Sequence, residues 1–457
     1  MVHQYPPRQS TMVLPILCLM VLIISLEAFS LASPLLKTRT RHTILGVSSV
    51  DPPKSSGTTS QGSTAAQWHR DRRQQMLTRY PEISQLEKTA NSQSVGGSFL
   101  ALANLSLTLL AILCGRLSNW KLTFLLALFP GSIFSLWQLQ ILHDNLHGSL
   151  LDKSKRHYNF GPIKIPKKKL QQWILFWGSM PSIFGYYLYL QYGHLTHHQA
   201  VGNPQAANLQ TIFESSSPSF EDGDVLFVAH RMKLKGGIGP RFTIGKKEIV
   251  MSISNLGFRQ WKTGRALFNM GVFATSFLYE RLLLVVNDIV VAVAGKNYFF
   301  LNKPPQFHKE CARYCRAAVA TRALIWWLGG KSWHSLWFLY LAETLWSLPP
   351  HPAAAMFVTN HGSRPNNNKI RASPDNACIP SSSTYAGKWY SCLTLGTNYH
   401  CEHHDFPTIP LQQLGALRQI APEFYREGSN DRLWPIMVQA FAYPDYYACM
   451  NDMESIR

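Results

Sequence analysis

The chain is 457 residues long and carries 44 Lys and Arg against 25 Asp and Glu, a formal charge of +19. That length would accommodate two or three soluble domains, but long apolar runs alternating with very polar connections argue instead for an integral membrane protein. The cations lie beside the apolar runs rather than in one patch, so no nucleic-acid partner is expected. The eight cysteines are scattered, and Cys311 and Cys315, the one close pair, lack a partner pair, which argues against a disulfide framework or a zinc site there.

The first apolar run, "MVLPILCLMVLIISL" (12–26), is short for a spanning helix and is followed by "EAFSLAS". It resembles the apolar region and small-residue end of a signal peptide. The stretch 36–67 is rich in Ser, Thr, Arg and Lys with Asp51 as its only acid, a transit-peptide composition. Together with Phe29 near the cleavage point, the two resemble the two-part leader of proteins sent to complex plastids. A signal anchor followed by a disordered linker is the alternative. Residues 1–67 are therefore expected to be a targeting or disordered leader outside the fold, 68–450 the membrane-bound domain, and 451–457 a tail.

Two spans are expected next, at 98–114 and 120–142, each sufficient for a hydrocarbon core of about 30 Å. "HDNLH" follows directly with His143 and His147. The basic stretch 153–169 reads as a cytosol- or stroma-facing loop beside anionic headgroups. The run 172–192 resembles a third span. A crossing there would put "GHLTHH" (His194, His197, His198) on the far side from "HDNLH", and Pro181 and Gly185 interrupt it, so a re-entrant or interfacial helix is expected. Polar stretches at 200–262 and 362–386 read as excursions. Between them, 267–294 and 324–349 supply an even number of crossings, although Glu280 and Arg281 fall inside the first, and the basic connection from Lys296 to Arg316 is then expected on the opposite side. Trp and Tyr near 325–346 read as interface anchors. The third cluster, "NYHCEHHDF" (398–406), contains His400, His403 and His404.

Eight of the 17 histidines thus fall in three groups spaced H-x3-H, H-x2-H-H and H-x2-H-H, and the other nine, His69 and His361 among them, fall outside. Residues three or four apart share a helix face, so each group can aim its rings at one point. Imidazole suits iron, zinc, copper and nickel. A mononuclear site rarely uses more than about three or four such ligands, and eight are enough for two metal ions. No E-x-x-H pairs occur, which excludes the ferritin-like carboxylate bundle. Neutral ligands leave a di-iron centre strongly cationic, suited to an oxidant formed from O2. Such an oxidant is what removing hydrogen from an unactivated CH2 requires, because that carbon is not acidic and no general base can do it.

These boxes match the membrane fatty acid desaturase/hydroxylase superfamily. Within it the chain resembles the sphingolipid 4-desaturase (dihydroceramide desaturase) family, through "RRQQMLTRYPEISQL" (72–86), "NYHCEHHDFPTIP" (398–410) and "IAPEFY" (420–425). The resemblance implies an all-α membrane protein of about four transmembrane helices plus interfacial or re-entrant helices, with a histidine-rich di-iron site at one membrane face. It implies iron ligation by His143, His147, His194, His197, His198, His400, His403 and His404. A further ligand usually follows the last span, and "HPAAAMFVTNHGS" (351–363) makes His361 the candidate, with Asn360 acting through a water. Asp144, Glu402 and Asp405 are placed to orient the rings from outside the ligand set. Asp144 stands where the family tends to have Glu, "AAAMFVTNH" departs from the family's version, and the interval between the second and third boxes is longer.

The implied function is O2-dependent desaturation of a lipid chain, most simply the sphingoid base of dihydroceramide. Acyl-lipid desaturation in a plastid and lipid hydroxylation are alternatives on the same scaffold. Two iron ions are the implied cofactor and O2 the co-substrate. No H-P-G-G haem motif is present, so an external electron donor is implied, cytochrome b5 or ferredoxin. The resemblance implies a multi-pass protein of the endoplasmic reticulum, whereas the leader composition points to a plastid membrane. A membrane metal transporter, from a different class, would hold its ligands inside spans near the midplane, whereas here they flank span ends.

Overall fold

The computed structural model describes residues 65–88, 93–194, 198, 241–244, 247–250, 262–297, 304–360, 381–425, 429–430 and 432–442. The expected leader, up to residue 64, the tail 451–457, and both His197 and His361 lie outside them.

Helix α1 (Ala65–Arg79) is polar over most of its surface, but His69, Arg72 and Met76 recur at helical spacing on one face. Met76 is fully buried in a core with Phe406, Ile409, Leu411, Leu414, Leu417 and Tyr425. A short helix α2 (Ile83–Lys88) follows. Helix α3 (Gln93–Leu117) is one long apolar rod. Helix α4 (Trp120–Leu126) starts at Asn119, whose side chain accepts the Leu122 N–H at 3.1 Å, a standard N-cap. A π-turn at Ala127–Gly131 then bends the chain where Pro130 cannot donate. Helix α5 (Ser132–Leu146) resumes the rod and ends in the first box. Among the described residues, α3 and the combined α4–α5 rod are the two helices long and apolar enough to cross a membrane.

The basic stretch after the first box folds as an antiparallel hairpin, β1 (His157–Phe160) and β2 (Ile163–Pro166). It leads into helix α6 (Lys167–Gly178), which has Trp173 and Trp177 exposed. The run 172–192 is not one helix. It stops at Gly178, turns through Gly185 at φ +67°, and re-forms as helix α7 (Tyr186–Leu188) and a π-turn at Tyr189–His194. Irregular backbone in an apolar interior must find internal partners, and it does. The Gly178 carbonyl accepts from Asn104 of α3 at 2.9 Å and Gln138 of α5 at 3.0 Å. Glu343 accepts from the N–H groups of Ile183 and Phe184 and from the Ser182 hydroxyl.

A second hairpin pairs β3 (Arg241–Ile244) with β4 (Lys247–Val250). Beyond it run helices α8 (Lys262–Ala294), α9 (Pro305–Leu328), α10 (His334–Leu345) and α11 (Ala354–Thr359). Here the structure corrects the sequence reading. The expected span 324–349 is split by a turn at 329–333, and the long helix at this point is α9. Gly115 at the end of α3 explains the turn, because a Cβ there would meet Ser335 Oγ at 2.0 Å and Gly329 O at 2.6 Å. Only glycine lets the two chains come this close.

This contact also orients the helices. Gly96, at the other end of α3, packs on Leu150 just beyond the first box. Nineteen residues separate Gly96 from Gly115, a rise of about 28 Å, so the turn at 329–333 is far from the boxes. Near its other end, α9 carries Glu310, which accepts from Tyr187 and Tyr192 beside the second box. Lys309 and Arg313, beside Glu310 in α9, therefore lie on the box side rather than the opposite side, and line one pocket with Lys168 and Lys169 of α6. Two charges inside α8, Arg281 and Asp288, are packed against protein. Arg281 lies over the Phe184 and Phe277 rings, and Asp288 pairs with Arg322 of α9 at 2.6 Å, both buried.

The remaining chain comprises β5 (Ser383–Thr384), helix α12 (Lys388–Leu393), helix α13 (His400–Asp405) with the third box, helix α14 (Leu414–Ile420), β6 (Ser429–Asn430), which pairs parallel with β5, and helix α15 (Leu433–Ala442).

Candidate metal centre

The three boxes meet. His143 projects from the last turn of α5 and His147 caps it, four residues on and so on the same face. His194 closes the π-turn after α7, and His403 sits in α13. One ring nitrogen from each of His143, His147, His194, His198 and His403 falls within 4.8 Å of all the others. The Nε2 atoms form a chain of close approaches: His147 to His194 at 3.1 Å, His194 to His198 at 3.0 Å, and His198 to His403 at 3.1 Å. The His404 ring lies tilted against His198 with centroids 4.3 Å apart, and His400 stands edge-on to His404 at 4.4 Å. Seven of the eight box histidines thus form one contiguous group.

The rings are mostly buried, and His403 is 1 % exposed. Burial, reinforced by the crowd of neighbouring imidazoles, holds His403 well below its ordinary pKa of 6.5. A neutral imidazole is the form that binds a metal ion. The His403 Nδ1 is buried with no hydrogen-bond partner among the described residues. Several converging nitrogen donors, His403 among them held neutral, fit a transition-metal ion of the iron or zinc kind.

The carboxylates beside the boxes fasten box segments to neighbouring chain. Asp144 accepts from the Ser149 hydroxyl at 2.9 Å to its backbone carbonyl and 3.2 Å to its side chain, and from the Leu411 N–H at 3.2 Å. The last bond ties the first box to the segment after the third. Glu402 accepts from Ser383 at 2.6 Å and from Tyr385. Burial pushes its carboxyl up to about 8, against the opposing pull of the Ser383 bond. Asp405 accepts from His69 at 2.7 Å and Arg72 at 3.1 Å. Burial opposes its charge, yet Arg72 and His69 hold its pKa below the ordinary carboxylate value. Asn360 is buried, its backbone carbonyl accepts from Ser382 N–H at 2.7 Å, and its side-chain oxygen has no partner among the described residues.

Sequence reading missed His69 and Arg72. His69 counts among the nine ungrouped histidines, yet its ring lies 5.0 Å from that of His404. The available signal was the His-x2-Arg-x3-Met stripe of α1, which shows a shared face but not what the face meets.

A family profile described as fatty acid desaturase matches residues 118–435. The chain is 35% identical over 88 residues to a putative sphingolipid delta(4)-desaturase/C4-monooxygenase of Caenorhabditis elegans, covering 19% of this chain and 21% of that one. It is 28% identical over 109 residues to the sphingolipid delta(4)-desaturase of Schizosaccharomyces pombe, covering 24% and 30%. It is 31% identical over 120 residues to the sphingolipid delta(4)-desaturase/C4-monooxygenase DES2 of Bos taurus, covering 24% and 32%. The matched stretches thus span no more than 32% of the length of these relatives. No solved structure matches the chain. The family match covers the greater part of the chain and takes in all three histidine boxes, and the chain belongs to the fatty acid desaturase family.

Proposed function

We propose that the protein is an O2-dependent di-iron desaturase of a lipid chain, acting on the sphingoid base of a dihydroceramide-type lipid. The observation that carries the reading is the convergence of imidazole nitrogens from three separate parts of the chain. The holding residues are His143, His147, His194, His198, His400, His403 and His404, with His197 and His361 proposed to complete the set. Bound there, two iron ions would supply the O2-derived oxidising power that removal of hydrogen from unactivated CH2 groups demands, with two electrons from an external donor such as cytochrome b5 or ferredoxin.

The chain's own contribution is position and exclusion of water. Burial keeps the His403 imidazole neutral and dry. The Asp144 bond to Leu411 ties the first box to the segment after the third, and the Glu402 bond to Ser383 secures the third-box helix. We propose four crossings, by α3, α4–α5, α9 and α10–α11, with α6 lying at the interface through Trp173 and Trp177. This arrangement keeps all three boxes at one face, beside the lipid. Hydroxylation is the second reading, favoured by relatives whose names include C4-monooxygenase. It differs only in the fate of the activated carbon. Either compartment, endoplasmic reticulum or plastid membrane, accommodates this chemistry.

The test is expression in a yeast strain lacking its own sphingolipid 4-desaturase, with lipids profiled by mass spectrometry and iron counted on the purified protein. A new double bond in the long-chain base and about two irons per chain are expected. His403→Ala should abolish product while the protein still inserts. An unsaturated acyl chain with unaltered sphingoid bases would overturn the substrate. Full product from His403→Ala would overturn the metal centre.

A further inference from the structure

A second buried group of potential ligand atoms lies behind the third box. His69, Cys401 and Asp405 offer three metal-ligand atoms within 4.8 Å of one another. A second cation site does not fit them, because a cation is already there. The Arg72 guanidinium lies 3.1 Å from Asp405 Oδ2 and 4.0 Å from Cys401 Sγ, and also donates to the Phe424 carbonyl at 2.8 Å. A metal ion beside it would meet like charge.

Both nitrogens of His69 are engaged. Nδ1 donates to Asp405 Oδ1 at 2.7 Å, and Nε2 is 2.8 Å from the Ser381 hydroxyl. These bonds hold the ring in one orientation, with Trp68 edge-on at 4.7 Å. Its face is then presented to His404, with ring centroids 5.0 Å apart and planes 30° apart. Asp405, the next residue along α13, is gripped at both oxygens. Helix α13 is only six residues long, too short to hold its own orientation. On one side Ser383 and Glu402 secure it, and on the other α1 does.

We infer that His69, backed by Arg72, is a positioning residue of the metal centre: through Asp405 and the face of His404 it sets the direction of the third-box imidazoles, so that docking of α1 completes the site. His69 touches no reacting atom, and it acts from 336 residues away in the chain. Partners outside a metal's ligand set that hold a ligand's direction typically change affinity by about 10–100-fold when removed. The inference rests on the reading that the imidazole cluster binds iron.

His69→Phe tests it, because phenylalanine keeps a ring against Trp68 and His404 but makes neither hydrogen bond. Wild type and variant, purified in detergent, are loaded with Fe(II), and iron release to a ferrous chelator is timed. Melting temperatures are taken with and without iron. The expected result is release at least tenfold faster from the variant, and a smaller rise in melting temperature on adding iron. A merely structural role would lower the iron-free melting temperature and leave the release rate unchanged, which would overturn the inference. Wild-type protein that retains no iron would overturn both it and the metal-centre reading, whereas iron held equally tightly by both proteins overturns the inference alone. If the ring exchange prevents insertion, Ser381→Ala decides, since it deletes one bond from His69 and, besides that, a hydrogen bond with the Cys401 thiol. Release a few-fold faster supports the inference, and an unchanged rate overturns it.

Discussion

Gly396→Ala should damage the protein without touching a box residue. Gly396 has φ +88°, and a Cβ there would lie 2.3 Å from the Leu411 carbonyl oxygen and 2.8 Å from its carbon. Forcing alanine into the left-handed region costs about 1–2 kcal/mol. The clash is with backbone, so it must be relieved by moving Leu411. The Leu411 N–H is the donor that reaches Asp144 at 3.2 Å, next to His143. Losing a hydrogen bond to a buried carboxylate costs about 1.5–3 kcal/mol, which brings the total to about 2.5–5 kcal/mol. The displacement also shifts the first box against the third, so activity should fall further than stability alone would carry it. Gly97→Ala is the control. It lies in α3 with nothing within 4 Å of the added carbon, and replacing a helical glycine there should be neutral or stabilising by up to about 1 kcal/mol. Thermal melting in detergent and product formation in membranes are measured for both variants. If Gly396→Ala melts and turns over like Gly97→Ala, the tie between Leu411 and the first box is not as described.

Three further outcomes are expected. Arg72→Met removes the guanidinium from fully buried Asp405, where the Arg72 side chain is itself 15 % exposed; breaking such a pair should destabilise by about 3 kcal/mol, read as a lower denaturation midpoint, and an unchanged midpoint would show that His69 alone satisfies Asp405. Deleting residues 1–64 should redirect a fluorescently tagged protein but preserve catalysis, whereas deleting 1–79 removes the His69, Arg72 and Met76 face and should abolish it; equal activity from both truncations would disprove the role of α1. Stripping metal with a chelator should abolish activity, with recovery on adding Fe(II) and none on adding Zn(II), which has no redox chemistry; recovery with Zn(II) would rule out an oxidative centre.

Much of the site was readable in the chain because its information is local. His143 and His147 share a helix face whatever surrounds them, and "HCEHH" places its rings within one short helix. The interruption of 172–192 was also readable, since Pro181 and Gly185 mark where a helix cannot continue. The split of 324–349 was not, because an apolar run carries no mark of the close approach at Gly115 that demands a turn there. The cations Lys309 and Arg313 at the start of α9 were assigned to the wrong side for the same reason: their position follows from Glu310 meeting Tyr187 and Tyr192, a contact between residues more than a hundred positions apart. Charges inside an apolar stretch, such as Arg281 and Asp288, say that a partner is needed but not which one.

The sequence by itself determined that three histidine groups flank the ends of apolar segments, since spacing and hydropathy are properties of short stretches. Only the tertiary structure decided that His69 stands against His404, that Arg72 occupies a would-be cation site, and that Asp144 is tied to Leu411. Those facts depend on which faces are buried against which. Periodicity tells a residue's face but never its neighbour, because the neighbour is chosen by packing the whole chain at once.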